Sequence, residues 1–185
     1  MLAPPSPTGR RAHSGRTVDL IALYLASAAA ILGLLYATVS AYWVLGGTVL
    51  LDTLGGSLER QARAGTSAAV AAGSTAAVLK VLVGGLPLAV VLGSASHRRG
   101  RAIRALAWIC SLALTGYGLV LTTVGLLVQA SIISTSRTTE RRALRWHAYL
   151  WDPWFLIWGA FATLALLRAR RSGPVHVRVA DSGQR

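Results

Sequence analysis

Arg145–Gly159, RWHAYLWDPWFLIWG, is the stretch whose reading decides the fold, because it looks like a water-exposed segment entering a membrane. It holds Trp146, Trp151, Trp154 and Trp158, four of the six tryptophans in the chain. Indole has an apolar body and one N–H that needs a partner, so tryptophan collects at headgroup level, where one end is dry and the other wet. Asp152-Pro153 then predicts a helix start: the aspartate accepts from first-turn N–H groups, and proline at the first position has no N–H to leave unsatisfied. From Trp154 the chain is apolar as far as Arg168.

Working outward, the same character recurs along most of the 185 residues. The chain is 54% hydrophobic and 14% charged, which leaves too little polar material to cover a soluble globule containing such long apolar runs. Crossing a hydrocarbon core takes about 20 apolar residues. Four such runs predict an all-α, integral membrane, antiparallel four-helix bundle with spans near 18–45, 67–94, 105–133 and 152–168. The domain is bounded by a disordered basic tail at 1–17, rich in proline and arginine, and a second basic tail at 169–185.

A net charge of +13 would suggest nucleic acid if it lay on one surface, but the cations sit between the apolar runs. Anionic lipid headgroups are therefore the expected partner, with a further membrane protein as a second candidate and no nucleic acid. The tails, the basic loop HRRGRAIR (His97–Arg104) and Arg168 at the end of the fourth span carry twelve arginines together, while the other two connectors carry six. The positive-inside rule then places both termini in the cytoplasm, and the chain is expected to be a multi-pass protein of the inner membrane. Arg10-Arg11 does not read as a twin-arginine signal, because the following apolar run is too long for an h-region. Arginine outnumbers the single lysine, Lys80, and alanine is abundant, as in a GC-rich bacterial genome.

Helix one starts at Thr17 or Asp19 and ends at Gly46-Gly47, and its small residues Ala29, Gly33, Ala37 and Ala41 predict a close-packed face. Helix three offers Gly116, Gly118 and Gly125 for the same purpose. Thr48–Thr66 is too short and broken to span; it reads either as an interfacial or re-entrant piece or as a plain loop. Helix two begins at Ser67 or at Ala76, and the choice decides whether Lys80 lies near mid-membrane or close to the surface. Gly84, Gly85 and Pro87 predict a kink in that helix.

The candidate polar site is Lys80, Asp152 and His147. An ionisable group in a span either pairs, classically with a carboxylate such as Asp52, Glu59 or Asp152, or snorkels to the interface. Asp152 reads as a helix cap or as the partner of Lys80, with both on the outer side. His147 is a solitary loop histidine with no metal-ligand spacing around it. Tyr42, Trp43, Trp146, Trp151 and Trp154 are expected at the membrane interface. Cys110 is the only cysteine, which excludes a disulfide or a Cys-x-x-Cys centre, and no metal, haem or other cofactor is expected. No catalytic motif stands out. A non-enzymatic accessory or assembly protein of the envelope ranks first, a lipid-binding or lipid-modifying protein second, and a transporter or channel subunit third.

AYWVLGGT at Ala41–Thr48 together with WHAYLWDPWFLIWG at Trp146–Gly159, on a four-span chain of this size, resembles a family of small actinobacterial membrane proteins known as domain of unknown function 3995. That family's pattern has a histidine just ahead of the tyrosine–tryptophan pair, near the place of Ser40 here. The resemblance implies the four-span fold and brings no activity, cofactor or site residue with it.

Overall fold

A computed structural model describes residues 19–93, 97–133 and 141–171. The expected N-terminal tail at 1–17 lies wholly outside the described residues, as do the C-terminal tail beyond Arg171, whose first residues 169–171 continue a helix, and most of the third connector. Six helices are present among the described residues: α1 (Leu20–Val44), α2 (Gly56–Ala64), α3 (Ser67–Val91), α4 (His97–Gln129), α5 (Arg141–Trp146) and α6 (Asp152–Arg171). The architecture is all-helical, and four segments are long and apolar enough to cross a membrane: Leu20–Val44, Ser67–Val91, Arg99–Gln129 and Ala143–Arg171.

Local chemistry fixes the helix ends. Asp19 caps α1, its Oδ1 accepting from Ile21 N at 2.9 Å and Ala22 N at 3.2 Å. Gly46, with φ +92°, turns the chain out of α1 through a conformation that L side chains avoid. Thr66 caps α3 by accepting from Ala69 N at 3.2 Å, so the helix starts at Ser67 rather than Ala76. Lys80 therefore stands about 20 Å along α3. The helix runs unbroken through the buried Pro87.

Two elements depart from expectation. His97–Arg104 is not a loop but the first two turns of α4, which at 33 residues is about 50 Å long. The helix before the tryptophan-rich segment starts at Arg141, so Asp152 is not an N-cap: its φ of −76° and ψ of −43° are helical. The chain passes from α5 to α6 through a single wide turn, His147–Trp151, in which Asp152 N donates to His147 O five residues back. Pro153 gives the reason. A proline inside a helix lacks the N–H and crowds the carbonyl four residues earlier, and a π-type turn relieves that crowding.

The helices form a closed antiparallel ring in the order α1, α3, α4, α6, with α1 and α6 the most buried. Small residues set the spacing. A Cβ on Gly33 would lie 2.8 Å from Trp158 Cζ2, 2.9 Å from Lys80 O and 3.0 Å from Gly84 Cα, so α1 and α3 touch backbone to backbone. Between α4 and α6 the same role falls to Gly118 against Phe155 and Leu156, Gly159 against Thr115, and Gly125 against Ala148. Gly116 faces open space and takes no part.

The distribution of side chains is inverted relative to a water-soluble bundle. Ala22, Ala26, Ala29, Ala107, Ala162 and Ala165 are buried, while Leu20, Tyr24, Ile31, Leu79, Leu82, Ile109, Val120 and Leu164 are exposed, Tyr24 by as much as 75%. In lipid, large apolar side chains lose nothing by facing outward, and small residues at the contacts let backbones approach.

Candidate functional site

The polar interior is concentrated where α1 ends, α3 begins and the His147–Trp151 turn enters α6. Tyr36 and Ser40 lie one turn apart on α1, and both are buried. Lys80 approaches them from α3. Helical Cα–Cβ bonds tilt toward the N-terminus, so the lysine stem climbs from mid-helix toward the start of α3. Its Nζ donates to Ser40 Oγ at 2.5 Å and rests 3.7 Å from the centroid of the Tyr36 ring. Lys80 thus reaches along the inside of the bundle, and its charge meets a hydroxyl and a π face.

Tyr36 links this group to α6. Its ring stacks on Trp151 at 5.4 Å and meets Phe155 edge-on at 5.1 Å. Asp152, next in sequence to Trp151, is buried and faces His147, with Nδ1 and Oδ1 3.4 Å apart. The other ring nitrogen of His147 lies 3.4 Å from Leu54 O. Residue by residue, the cluster leads from Lys80 and Ser40 through Tyr36 and Trp151 to Asp152, His147 and the connector.

That connector is the roof. Leu51–Thr53 forms one 3₁₀ turn, reached through Leu50 in a left-handed conformation (φ 62°), and α2 follows. Thr53, fully buried, accepts from Trp151 Nε1 at 3.0 Å. Trp43 Nε1 donates to Val49 O at 2.8 Å. The segment therefore folds back over the end of the bundle and is held there by indole N–H groups. On α2, Glu59 pairs with Arg63 at 2.9 Å.

Several expectations are revised by these contacts. Lys80 and Asp152 belong to one cluster but do not form an ion pair: the ammonium is taken by Ser40 and Tyr36, the carboxylate by His147. Glu59 is likewise occupied by Arg63. Of the five aromatics placed at the membrane interface, only Tyr42 is exposed; Trp43, Trp146 and Trp154 are half-buried, and Trp151 is in the core with Trp158. Trp154 Nε1 even donates inward, to Leu32 O at 3.3 Å. For Trp43, Trp151 and Trp154, acceptors inside the protein take the indole N–H, while Trp158 Nε1 is buried without a partner among the described residues.

Ser40, Tyr36 and Thr53 are the residues missed from sequence. A signal existed: stepping strictly by four from Ala29 leads to Ala41, whereas the true period of about 3.6 leads from Gly33 to Tyr36, Ala37 and Ser40. No group of three His, Cys, Asp or Glu suited to a metal occurs among the described residues.

Chemically, the cluster combines one amine, one hydroxyl, one phenol and one imidazole–carboxylate pair. Ser40 Oγ accepts from the lysine and also lies 3.3 Å from Tyr36 O, the helical carbonyl one turn back, to which its own proton is directed. With the lysine donating to its oxygen and its own proton given to the Tyr36 carbonyl, the hydroxyl is held as a structural link rather than prepared as a nucleophile.

The fold and this site define a four-helix bundle of membrane-spanning dimensions that carries a roofed polar cluster at one end. The chain belongs to the family described as protein of unknown function (DUF3995), whose model matches residues 32–162. The match takes in Tyr36, Ser40, Lys80, the connector, His147 and Asp152. Comparison with curated proteins and with solved structures returns no match.

Proposed function

We propose that the chain is a multi-pass protein of the cell membrane, with both termini cytoplasmic and a non-enzymatic role as an accessory or assembly partner in the envelope. The observation that carries this reading is the inverted side-chain distribution, with leucine, isoleucine and valine outside and alanine, glycine and serine inside. The arginine bias supports the orientation. The occupied hydroxyl of Ser40 and the internal pairing of His147 with Asp152 favour a scaffold over a reaction centre. On this reading the polar cluster serves to lock α1, α3, α6 and the connector in one arrangement, so that the outer end offers a fixed surface to a membrane partner. Fractionation tests it: the chain should stay with the membrane through alkaline washing and be released only by detergent. Release by alkali alone would overturn the reading.

A second reading, a lipid-binding or lipid-modifying protein of the outer leaflet, is favoured by one feature. The Lys80 ammonium meets neutral groups and no carboxylate among the described residues, so an anionic group could approach it. Mass spectrometry of lipids carried through purification, comparing the native chain with Lys80→Met, distinguishes the two. A lipid lost on that substitution supports the second reading; an unchanged profile supports the first.

A further inference from the structure

At the end of the bundle opposite the roofed cluster, α4 begins and α6 ends, and their register sets arginines of the two helices at the same level. Gly118 packs on Leu156. Two helical turns further toward this end on each helix, about seven residues, bring Ser111 opposite Thr163, and two more bring Arg104 opposite Arg170. A parallel pair of observed contacts follows the same step. Thr115 Oγ1 meets Thr163 Oγ1 at 3.2 Å, and seven residues along each helix the Arg170 guanidinium lies over the Trp108 ring, 5.5 Å from its centroid. Arg104 and Arg101 share the face of α4 that carries Trp108, one and two turns closer to the helix start respectively.

Like charges on facing helices repel, and the glycine contacts that fix this register leave the helices no freedom to slide apart. Arg101, Arg104 and Arg170 are all exposed, and no carboxylate pairs with any of them among the described residues. The Arg170 guanidinium lies at the level of Trp108, one turn from Arg104, so an anion with several acceptor oxygens that reaches both offsets their repulsion. The guanidinium fork matches a phosphate, and Trp108 beneath Arg170 offers an apolar surface for the glycerol and upper acyl carbons. The site stands at the end of two spans, where a phospholipid headgroup resides and a soluble anion would face the boundary of the hydrocarbon.

We infer that Arg104 and Arg170, with Arg101 and Trp108, form a binding site for the phosphate headgroup of an anionic glycerophospholipid in the leaflet at this end of the bundle. The inference rests on the membrane reading above, and it selects one lipid position out of the general attraction of basic residues for anionic surfaces.

The test uses the full chain reconstituted in nanodiscs of phosphatidylcholine, with or without phosphatidylglycerol, and counts lipids retained after transfer to detergent by native mass spectrometry. Recovery in phosphatidylcholine discs alone checks the membrane reading separately. The native chain should retain phosphatidylglycerol in preference to phosphatidylcholine. Arg104→Gln/Arg170→Gln should weaken that retention by about fivefold per charge, about 30-fold in all. Arg60→Gln/Arg99→Gln, which removes the same charge away from the seam, should leave it close to native. Equal losses in the two double variants, or no loss in the first, would overturn the site. Displacement of the bound lipid by inorganic phosphate or glycerol phosphate at comparable concentration would also overturn it, because the ligand would then be a soluble phosphate. Unchanged thermal unfolding of both variants in phosphatidylcholine confirms that they are folded.

Discussion

Gly33 is the position at which the packing of this bundle can be tested most sharply. An added methyl group would meet the Trp158 ring at 2.8 Å, the Lys80 carbonyl at 2.9 Å and the Gly84 Cα at 3.0 Å. Two of these are backbone atoms, and the third belongs to an indole that is 1% exposed, so none can step aside. Ordinary carbon contacts lie near 3.5–4.0 Å, so Gly33→Ala must part α1 and α3 by roughly 0.5–1 Å. Overpacking of this kind costs about 1–3 kcal/mol. Replacing a helical glycine by alanine also lowers the free energy of the helix by up to about 1 kcal/mol, and that gain must be removed by a control. Gly85→Ala and Gly116→Ala supply it, since a methyl at either meets nothing within 4 Å. For a chain of this size the difference between Gly33→Ala and the controls corresponds to about 2–12 °C in thermal midpoint in a fixed detergent. Gly33→Leu should fail to give folded protein. A Gly33→Ala midpoint equal to that of Gly116→Ala would show that α1 and α3 do not meet at this glycine.

Two further outcomes follow from the polar cluster and its roof. In a double-mutant cycle, Lys80→Met and Ser40→Ala should couple by about 1–2 kcal/mol in unfolding free energy, whereas Lys80→Met and Asp152→Asn should add within about 0.5 kcal/mol. A larger coupling for the second pair would mean that the amine prefers the carboxylate. Trp43→Phe/Trp151→Phe removes the indole donors to Val49 and Thr53, loosening the connector. Tryptic cleavage after Arg60 and Arg63 should rise about fivefold for each lost hydrogen bond, and an unchanged rate would show that the roof is held by other contacts.

What could be read from the sequence was what depends on one chain segment at a time. The four apolar runs, the Asp19 and glycine boundaries of α1 and the small-residue face through Ala29, Gly33 and Ala37 all express local composition and period. Properties that depend on a partner helix were not legible. The tryptophans suit an interface by their chemistry, yet Trp151 turns inward because Thr53, ninety-eight residues away, supplies the acceptor its N–H needs. Asp152-Pro153 carries a helix-start signature, but the wide turn at His147–Trp151 accommodates the proline, and α5 lengthens the helix backwards. Glycines look alike in sequence; whether Gly118 or Gly116 touches another backbone is decided by which face of α4 meets α6. Charge complementarity, which is visible in a sequence, points Lys80 to a carboxylate, whereas a serine on the correct face is not visible there.

On the proposed topology the chain spans the membrane four times, with α2 and the roofed cluster on the side away from the cytoplasm and the arginine-rich end of α4 and α6 facing it. With the native Cys110 replaced by alanine, single substitutions Leu58→Cys on α2 and Arg101→Cys on α4 place one thiol at each end, both at exposed positions. A membrane-impermeant maleimide applied to intact cells should label Leu58→Cys at once and Arg101→Cys only after permeabilisation. The reverse pattern would invert the topology, and labelling of both thiols without permeabilisation would contradict the four-span account.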